Sequence, residues 1–193
     1  MGEVNSSSNG PVGPIRHEAA STDDVDDAPL ILTLRLAPDS FARFDTERRQ
    51  HFPTERNFIP AHLTLFHHLP GERFEEICEA VANRVARQAP FPLAIRGLRF
   101  LGQGTAYVIE SSALVALRSD LAALWSTQLT RQDLQTFRPH VTIQNKVPAL
   151  EAKMLYEALS ATFEVFEATA TGILLWRYRG GPWGAAGEFA FPR

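Results

Sequence analysis

The sequence predicts an α+β fold in which mixed or antiparallel sheets carry helices on their outer side. Apolar residues alternate with a period of two in several short segments, which is typical of half-buried strands. Longer stretches with helical periodicity lie between them, but strands and helices do not alternate strictly as in a doubly wound parallel sheet. The chain has 193 residues, of which 45% are hydrophobic, so it can bury one sizeable core.

The predicted elements begin with a strand whose four leucines, at 30, 32, 34 and 36, share one side. Asp39 and Ser40 follow Pro38 and have the side chains that cap a helix. In chain order we predict a strand at 30–36, a helix at 39–52, a strand at 62–69, a helix at 72–89, strands at 91–100 and 105–110, a helix at 113–129, a strand at 140–147, a helix at 148–159, and strands at 163–169, 173–178 and 188–191.

The first 28 residues differ in composition from the remainder. They carry six acidic residues, one basic residue and few large apolar ones, which predicts a disordered acidic tail. Residues 29–193 then form a single domain with 16 acidic and 18 basic residues, a net charge of about +2. This charge permits a phosphate-bearing substrate but is too small for general nucleic-acid binding.

The lack of a recognisable targeting signal and the low cysteine content favour a cytoplasmic protein. No apolar run approaches the ~18 residues of a membrane helix, and residues 1–28 lack the apolar core of a signal peptide. The single cysteine, Cys78, excludes an intramolecular disulfide and a cysteine-based metal site. It lies in an amphipathic stretch, where a small core residue is the simpler interpretation.

Residues 60–65 (PAHLTL) and 138–143 (RPHVTI) share one pattern. Their histidines and threonines are His62 with Thr64 and His140 with Thr142. Because side chains alternate between the faces of a strand, each histidine shares a face with its threonine, opposite apolar residues that face the core. One such histidine is commonly structural, but two copies with matching parity, 78 residues apart, favour a joint function.

Two imidazoles and two hydroxyls in one cleft suit the chemistry of phosphodiesters. We expect this cleft if the two motif strands lie side by side at the centre of a sheet. One neutral imidazole accepts a proton from water or a ribose hydroxyl, and the other, protonated, donates one to the departing oxygen. The threonine hydroxyls donate hydrogen bonds to non-bridging phosphate oxygens. This mechanism requires no metal, no cofactor and no covalent intermediate.

The two motifs, their separation and the order of elements resemble the 2H phosphoesterase superfamily, in particular its branch of 2′-5′ RNA ligase-like proteins and cyclic phosphodiesterases. The similarity is strongest at 137–147 (FRPHVTIQNKV) and extends over 29–193. It implies a bilobal α+β fold with pseudo-twofold symmetry, one motif in each lobe, and a central cleft. It also implies metal-independent hydrolysis of 2′,3′-cyclic phosphates or related nucleotide and RNA-terminal phosphodiesters. The residues that correspond to the family's functional residues are His62, Thr64, His140 and Thr142.

Further substrate contacts are predicted from strand parity. Some relatives carry an arginine a few residues after the second motif, where this chain has Gln144, Asn145 and Lys146. A lysine supplies charge without the bidentate geometry of an arginine. We predict Lys146 and Arg138 as phosphate partners and Phe66 as an aromatic that stacks on a base, with a core role for Phe66 and a solvated role for Arg138 as the alternatives.

Other residues near the motifs have weaker interpretations. His67 and His68 suggest a metal site, but parity directs His67 away from the first motif histidine, and no carboxylate or cysteine nearby completes a tetrahedral set. We therefore expect no metal, and expect His68 at the rim of the cleft. Trp176, Arg177 and Tyr178 either close the pocket or pack in the final sheet.

Three classes of function remain to be compared. The first is a phosphodiesterase acting on a nucleotide or RNA terminus that bears a cyclic phosphate or a 2′-5′ linkage. The second is a non-catalytic nucleotide or RNA 3′-end binding module on the same fold. A hydrolase with a serine or cysteine nucleophile is disfavoured, because Gly-x-Ser-x-Gly is absent from the sequence and Cys78 is distant from both motifs. No protein partner is implied.

Overall fold

Seven strands and four helices form the part of the chain that this computed structural model describes, residues 26–193. They are, in chain order, β1 (Leu30–Leu36), α1 (Pro38–His51), β2 (Leu63–Leu69), α2 (Phe74–Val85), β3 (Phe91–Phe100), β4 (Thr105–Glu110), α3 (Ser112–Leu124), β5 (His140–Gln144), α4 (Ala149–Ala161), β6 (Phe166–Arg177) and β7 (Gly184–Ala190). The predicted disorder of residues 1–25 lies outside the described residues. No helix among the described residues is both long and apolar enough to cross a membrane.

All the strand pairs are antiparallel and belong to one sheet. The strand order is β2-β1-β6-β3-β4-β5, and β7 also pairs with β6. The first part of β6 pairs with β3, and the second part pairs with β1 on one edge and with β7 on the other. The α+β prediction with an antiparallel sheet is confirmed.

The order of elements repeats once along the chain. The first repeat is β1-α1-β2-α2-β3 and the second is β4-α3-β5-α4-β6. Exchanging the two repeats maps the strand order of the main sheet onto itself, which accounts for the pseudo-twofold symmetry. The motif strands β2 and β5 occupy equivalent positions in the two repeats.

The motif strands lie at the two ends of the sheet. The expectation that they lie side by side at its centre is therefore wrong. The sheet curls into a half-barrel, as twisted antiparallel sheets do, and residues of β2 and β5 approach each other across the opening. Curvature thus replaces direct pairing in bringing the motifs together.

The predicted alternation of core and polar faces holds at both motifs. Leu63 in β2 and Val141 and Ile143 in β5 are completely buried, and Leu65 is 1% exposed. Their burial holds each motif strand against the core. Successive side chains of a strand point to opposite faces, so the polar residues between them lie on the face away from the core.

Several element boundaries differ from those predicted. Helix α1 begins at Pro38, and the Ser40 hydroxyl accepts a hydrogen bond from the backbone N–H of Thr169 at 3.0 Å instead of capping the helix. Strand β6 is continuous over 12 residues where two strands were predicted. Strand β5 ends at Gln144, three residues early, which changes the position of the residues that follow it.

The described residues begin three positions before the predicted domain boundary at residue 29. Asp26 forms ion pairs with Arg177, at 3.3 Å, and with Arg179. A Cβ atom at Gly71 would lie 2.3 Å from the carbonyl oxygen of Ala28, so glycine is needed for this close approach. Residues 26–28 are thus packed against the sheet.

Candidate functional site

The two motif histidines are held by the same contact. His62 precedes β2, and its Nδ1 lies 2.8 Å from the carbonyl oxygen of Pro60. His140 begins β5, and its Nδ1 lies 2.9 Å from the carbonyl oxygen of Arg138. A carbonyl oxygen only accepts, so Nδ1 donates in both rings. In the neutral form, Nε2 of each ring therefore keeps its lone pair for a substrate.

Both motif histidines have lowered pKa values, which favours the neutral imidazole. Burial lowers the pKa of His62 to about 4, and the positive charges of Arg48, His140 and His67 lower it further, against the opposing effect of the carbonyl hydrogen bond. Burial also lowers the pKa of His140, with smaller contributions in the same direction from Arg99 and His67. An anion bound between the rings would raise both pKa values, because opposite charge favours the protonated form.

The motif threonines lie on the same faces as the histidines. Thr64 and Thr142 are both half-buried and retain solvent contact. Thr64 lies opposite Thr33 of β1, and Thr142 lies opposite Ala106 of β4. Each hydroxyl provides one donor on a rigid strand, which is the element that positions a contact most precisely.

A buried arginine in α1 connects the two motif segments. Arg48 donates from Nε to the side-chain oxygen of Asn57 at 2.9 Å and to the carbonyl oxygen of Ile59 at 3.0 Å. Its Nη1 donates to the carbonyl oxygen of Thr142 at 2.8 Å. One side chain thereby fixes the loop before His62 relative to the backbone of β5.

A second buried charge in α1 supports the same loop. Asp45 is 4% exposed and accepts a hydrogen bond from the backbone N–H of Ala61 at 2.9 Å. It also pairs with Arg49 at 2.6 Å. The sequence analysis missed Asp45 and Arg48. They are three residues apart and lie on the same side of the helix as the buried Phe44. Charged residues on the buried side of a helix are the sequence feature that could have identified them.

Register shifts in β2 change the face on which Phe66 lies. Thr33 is opposite Thr64 whereas Leu32 is opposite Phe66, so one residue of β2 is left without a partner between them. Such a bulge offsets the alternation of side chains. Phe66 is completely buried and packs edge-on against Trp125, with 5.1 Å between the ring centroids. The prediction that Phe66 stacks on a base is wrong, and its core alternative is correct.

His67 follows the bulge and is held by a buried carboxylate. Its Nδ1 and its backbone N–H both lie 2.9 Å from Oδ1 of Asp133, and the backbone N–H of His68 donates to Oδ2 at 3.1 Å. Burial raises the pKa of Asp133, but the hydrogen bonds from His67 outweigh it, so the pKa is lowered overall. The parity argument that directed His67 away from the cleft fails, since the bulge reverses the alternation, so that Phe66 is buried and His67 is exposed on the opposite face.

The two predicted phosphate partners have different positions. Lys146 lies beyond the end of β5 with a left-handed φ of 63°. It borders a surface depression together with His51, Thr54 and Glu55, so its predicted place on the histidine face is wrong. Arg138 is exposed beside the second motif, and a phosphate contact by its side chain remains a prediction.

Arg99 of β3 is a cation that the sequence analysis missed. It lies opposite Ala106 of β4, which in turn lies opposite Thr142 of β5. Directly opposed residues share a face of the sheet, so Arg99 is on the face of Thr142 and His140. Its effect on the pKa of His140 agrees with this placement. Only the strand register reveals this arrangement.

A cavity of about 260 Å³ borders His62 on the side of β1 and β6. The ring centroid of Trp183 lies 4.8 Å from that of His62 and 6.2 Å from that of Trp176. Nε1 of Trp176 donates to Oγ1 of Thr33 at 2.8 Å, which fixes this indole. Trp183 follows Gly180, Gly181 and Pro182 directly before β7, and the sequence analysis did not single it out.

The three residues predicted to close the pocket separate in the structure. Trp176 lines the cavity. Arg177 instead pairs with Asp26 and lies 4.4 Å above the ring of Phe74. Tyr178 is 44% exposed and does not border the cavity.

Two other sequence interpretations concern metals and the single cysteine. Among residues 26–193, no three His, Cys, Asp or Glu side chains are grouped so as to hold a metal ion. Cys78 lies half-buried in α2 against the core. Burial raises the pKa of its thiol, which disfavours the nucleophilic thiolate.

Similar proteins were found by sequence and by structure. The profile of the 2′-5′ RNA ligase superfamily matches residues 37–182. An RNA 2′,3′-cyclic phosphodiesterase of Geobacillus stearothermophilus is 36% identical over 93 residues, which are 44% of this chain and 30% of that protein. The match therefore covers less than a third of that relative.

Two solved structures have the same fold. The Thermus thermophilus protein TT0787 has a TM-score of 0.59 and 17% identity, and the match covers 84% of this chain and 97% of that one. Escherichia coli LigT complexed with 3′-AMP has a TM-score of 0.57 and 17% identity, over 87% of this chain and 100% of that one. At this identity the likeness concerns the fold alone.

Proposed function

Because the chain belongs to the 2′-5′ RNA ligase superfamily, we propose that it is a metal-independent phosphodiesterase. We propose that it opens 2′,3′-cyclic phosphates, or cleaves related nucleotide and RNA-terminal phosphodiesters, by two-histidine acid–base catalysis. The observation that carries the proposal is the equivalent anchoring of His62 and His140 through Nδ1. The printed activity of the Geobacillus relative and the 3′-AMP bound to LigT support this substrate class.

We assign the role of general base to His62. Its pKa of about 4 keeps it neutral at pH 7, so its Nε2 can accept a proton from the attacking water. The water oxygen forms a bond to phosphorus, and the bond from phosphorus to one ribose oxygen breaks. His62 ends the step protonated, and the product is a phosphomonoester.

We assign the role of general acid to His140. The anionic phosphate raises the pKa of this imidazole, because a nearby opposite charge favours the protonated form. The protonated ring then donates its Nε2 hydrogen to the departing ribose oxygen, which leaves as a hydroxyl. The two rings thereby exchange protonation states over one turnover.

The phosphate oxygens require donors that do not transfer protons. Thr64 and Thr142 supply one hydroxyl from each motif strand, on the faces of the histidines. Arg99 supplies a positive charge on the same face as Thr142. These groups stabilise charge on the non-bridging oxygens in the transition state. We propose that the exposed Arg138 contacts the next phosphate of a longer substrate.

The test is hydrolysis of the four 2′,3′-cyclic nucleotides in excess EDTA. We expect turnover by the wild type, and a loss of at least ~10²-fold in kcat for His62→Ala and for His140→Ala, because each removes one proton-transfer group. His51→Ala, at the end of α1, is the matched histidine control and should keep full activity.

Two outcomes would contradict the proposal. Full activity in either motif variant would exclude two-histidine catalysis. Tight nucleotide binding without turnover by the wild type would instead favour the non-catalytic binding module.

A further inference from the structure

The cavity beside His62 is separate from the space between the two histidines. It lies on the side of β1, β6 and the turn before β7, and its lining includes Trp176 and Trp183. Its volume of about 260 Å³ is just below the ~300–1,000 Å³ of typical small-molecule sites. A cavity of this size can hold one small planar group of a larger ligand.

The walls of the cavity are rigid and aromatic. Trp176 is held by its hydrogen bond to Thr33, and Trp183 packs between Trp176 and His62. Trp183 is half-buried and keeps part of its indole surface for a ligand. Aromatic side chains of this kind stack on nucleobases, each contributing about 1–3 kcal/mol per base.

The cavity also contains a charged pair. Arg35 of β1 and Glu188 of β7 form an ion pair at 3.0 Å, and both line the cavity. Their side chains are 38% and 57% exposed, so donors and acceptors remain accessible. A purely apolar ligand would displace water from these groups without replacing its hydrogen bonds. The polar edge of a nucleobase, in contrast, carries both donors and acceptors.

We propose that this cavity, which we call the Trp183 cavity (Thr33, Arg35, His62, Trp176, Trp183 and Glu188), binds the nucleobase of the nucleotide whose phosphate lies between His62 and His140. The inference rests on the proposed function and deepens it by assigning the residues that hold the base. His62 joins the two sites, because its ring contacts Trp183 and its Nε2 serves the phosphate. Base stacking then orients the ribose before proton transfer.

The test compares a 2′,3′-cyclic nucleotide with the 2′,3′-cyclic phosphate of methyl riboside, which has no base. Trp183→Ala should lower kcat/KM for the nucleotide by about 5- to 150-fold, the range that ~1–3 kcal/mol of stacking predicts. Trp183→Phe should lose less, because a phenyl ring still stacks. The loss of kcat/KM for the base-free substrate should be smaller in both variants, because that substrate has no base to stack on the ring.

Tyr178→Ala is the matched control, because Tyr178 is an exposed aromatic residue at the end of β6. It should leave both substrates unaffected. Thermal unfolding of each variant shows whether it is folded. An equal loss on both substrates in Trp183→Ala would mean that Trp183 acts through His62, and would overturn the inference while leaving the phosphodiesterase intact.

Binding separates failure of this inference from failure of the proposed function. If the wild type hydrolyses neither substrate, calorimetric titration with a nucleoside 3′-monophosphate and with ribose 3-phosphate still tests the cavity. Weaker binding of the nucleotide alone by Trp183→Ala would support the base site. Equal binding of the nucleotide by wild type and variant would overturn it.

Discussion

The half of the molecule that carries His62 and the half that carries His140 have the same topology but different surroundings. In both, an imidazole at the start of an edge strand donates from Nδ1 to the carbonyl oxygen two residues earlier. His62 borders the Trp183 cavity, whereas His140 shares its face of the sheet with Arg99. The anchoring of the imidazole is repeated, and its surroundings are not.

This difference shows how a symmetric fold can act on an asymmetric substrate. The repeated part depends on backbone geometry, because a carbonyl oxygen two residues away fixes each ring. The asymmetric part depends on side chains that lie beside only one of the two histidines. These are Arg99 of β3 beside His140 and Trp183, before β7, beside His62. We infer that the shared features supply proton transfer and that the unshared features set its direction.

The largest expected effect separates the roles of the two histidines. On a cyclic nucleotide, His62→Ala and His140→Ala should each lose ~10²- to 10⁴-fold in kcat/KM. On a nucleoside 4-nitrophenyl phosphodiester, the leaving group needs no proton, so His140→Ala should stay within about tenfold of the wild type. His62→Ala should remain as impaired as before, since water still needs a base.

Steady-state kinetics of both variants on both substrates check this assignment. Rescue of His62→Ala instead of His140→Ala would reverse the roles of the two halves. Rescue of both variants would show that neither role is specific to its half.

An intermediate effect concerns the contact between the halves. Arg48→Met should lower the free energy of unfolding by about 2–4 kcal/mol, because it leaves the carbonyl oxygens of Ile59 and Thr142 without their donor. Burial lowers the pKa of Arg48 to about 10, so it is charged at pH 7 in the wild type. Urea titration measures the change.

Arg87→Met is the matched control for that experiment. Arg87 is exposed beyond the end of α2, so this variant should change stability by less than about 1 kcal/mol. If both variants have the same stability, Arg48 does not hold the halves together.

The smallest expected effect is a shift in pH dependence. The kcat/KM profile reports the free enzyme, so it should be bell-shaped, with an acid limb near pH 4 from His62 and an alkaline limb below pH 6.5 from His140. Arg99→Gln removes a positive charge that lowers the pKa of His140. The alkaline limb should therefore move to higher pH.

Arg96→Gln is the control for the pH profile. Arg96 lies on the same strand as Arg99 and pairs with Glu110 at 3.6 Å, so its loss should leave both limbs unchanged. A downward shift in Arg99→Gln would contradict the proposed placement of Arg99 beside His140.

Local patterns predicted much of the fold and part of the candidate site. The burial of Leu63, Leu65, Val141 and Ile143 follows from alternation within single strands, and so does the separate placement of the motif histidines. The prediction failed where alternation was extended too far. Phe66 lies beyond a bulge and Lys146 lies beyond the end of its strand, and neither event leaves a clear mark in the sequence.

Contacts distant in sequence were beyond the reach of the same patterns. Arg48 reaches a carbonyl oxygen 94 positions away, and Asp133 binds a histidine 66 positions away. Such contacts depend on how the helices and loops pack on the curled sheet. For Arg48 the sequence signature is only a charged residue on a helix face that is otherwise directed to the core.

By itself, the sequence determined that each motif carries its histidine and threonine on the face opposite the core, because strand parity is a property of a few adjacent residues. The tertiary structure decided how these residues meet. Curvature brings the two edge strands together, a bulge removes Phe66 from the site, and β7 brings Trp183 next to His62. These outcomes depend on register and on the packing of the whole sheet, which no local pattern encodes.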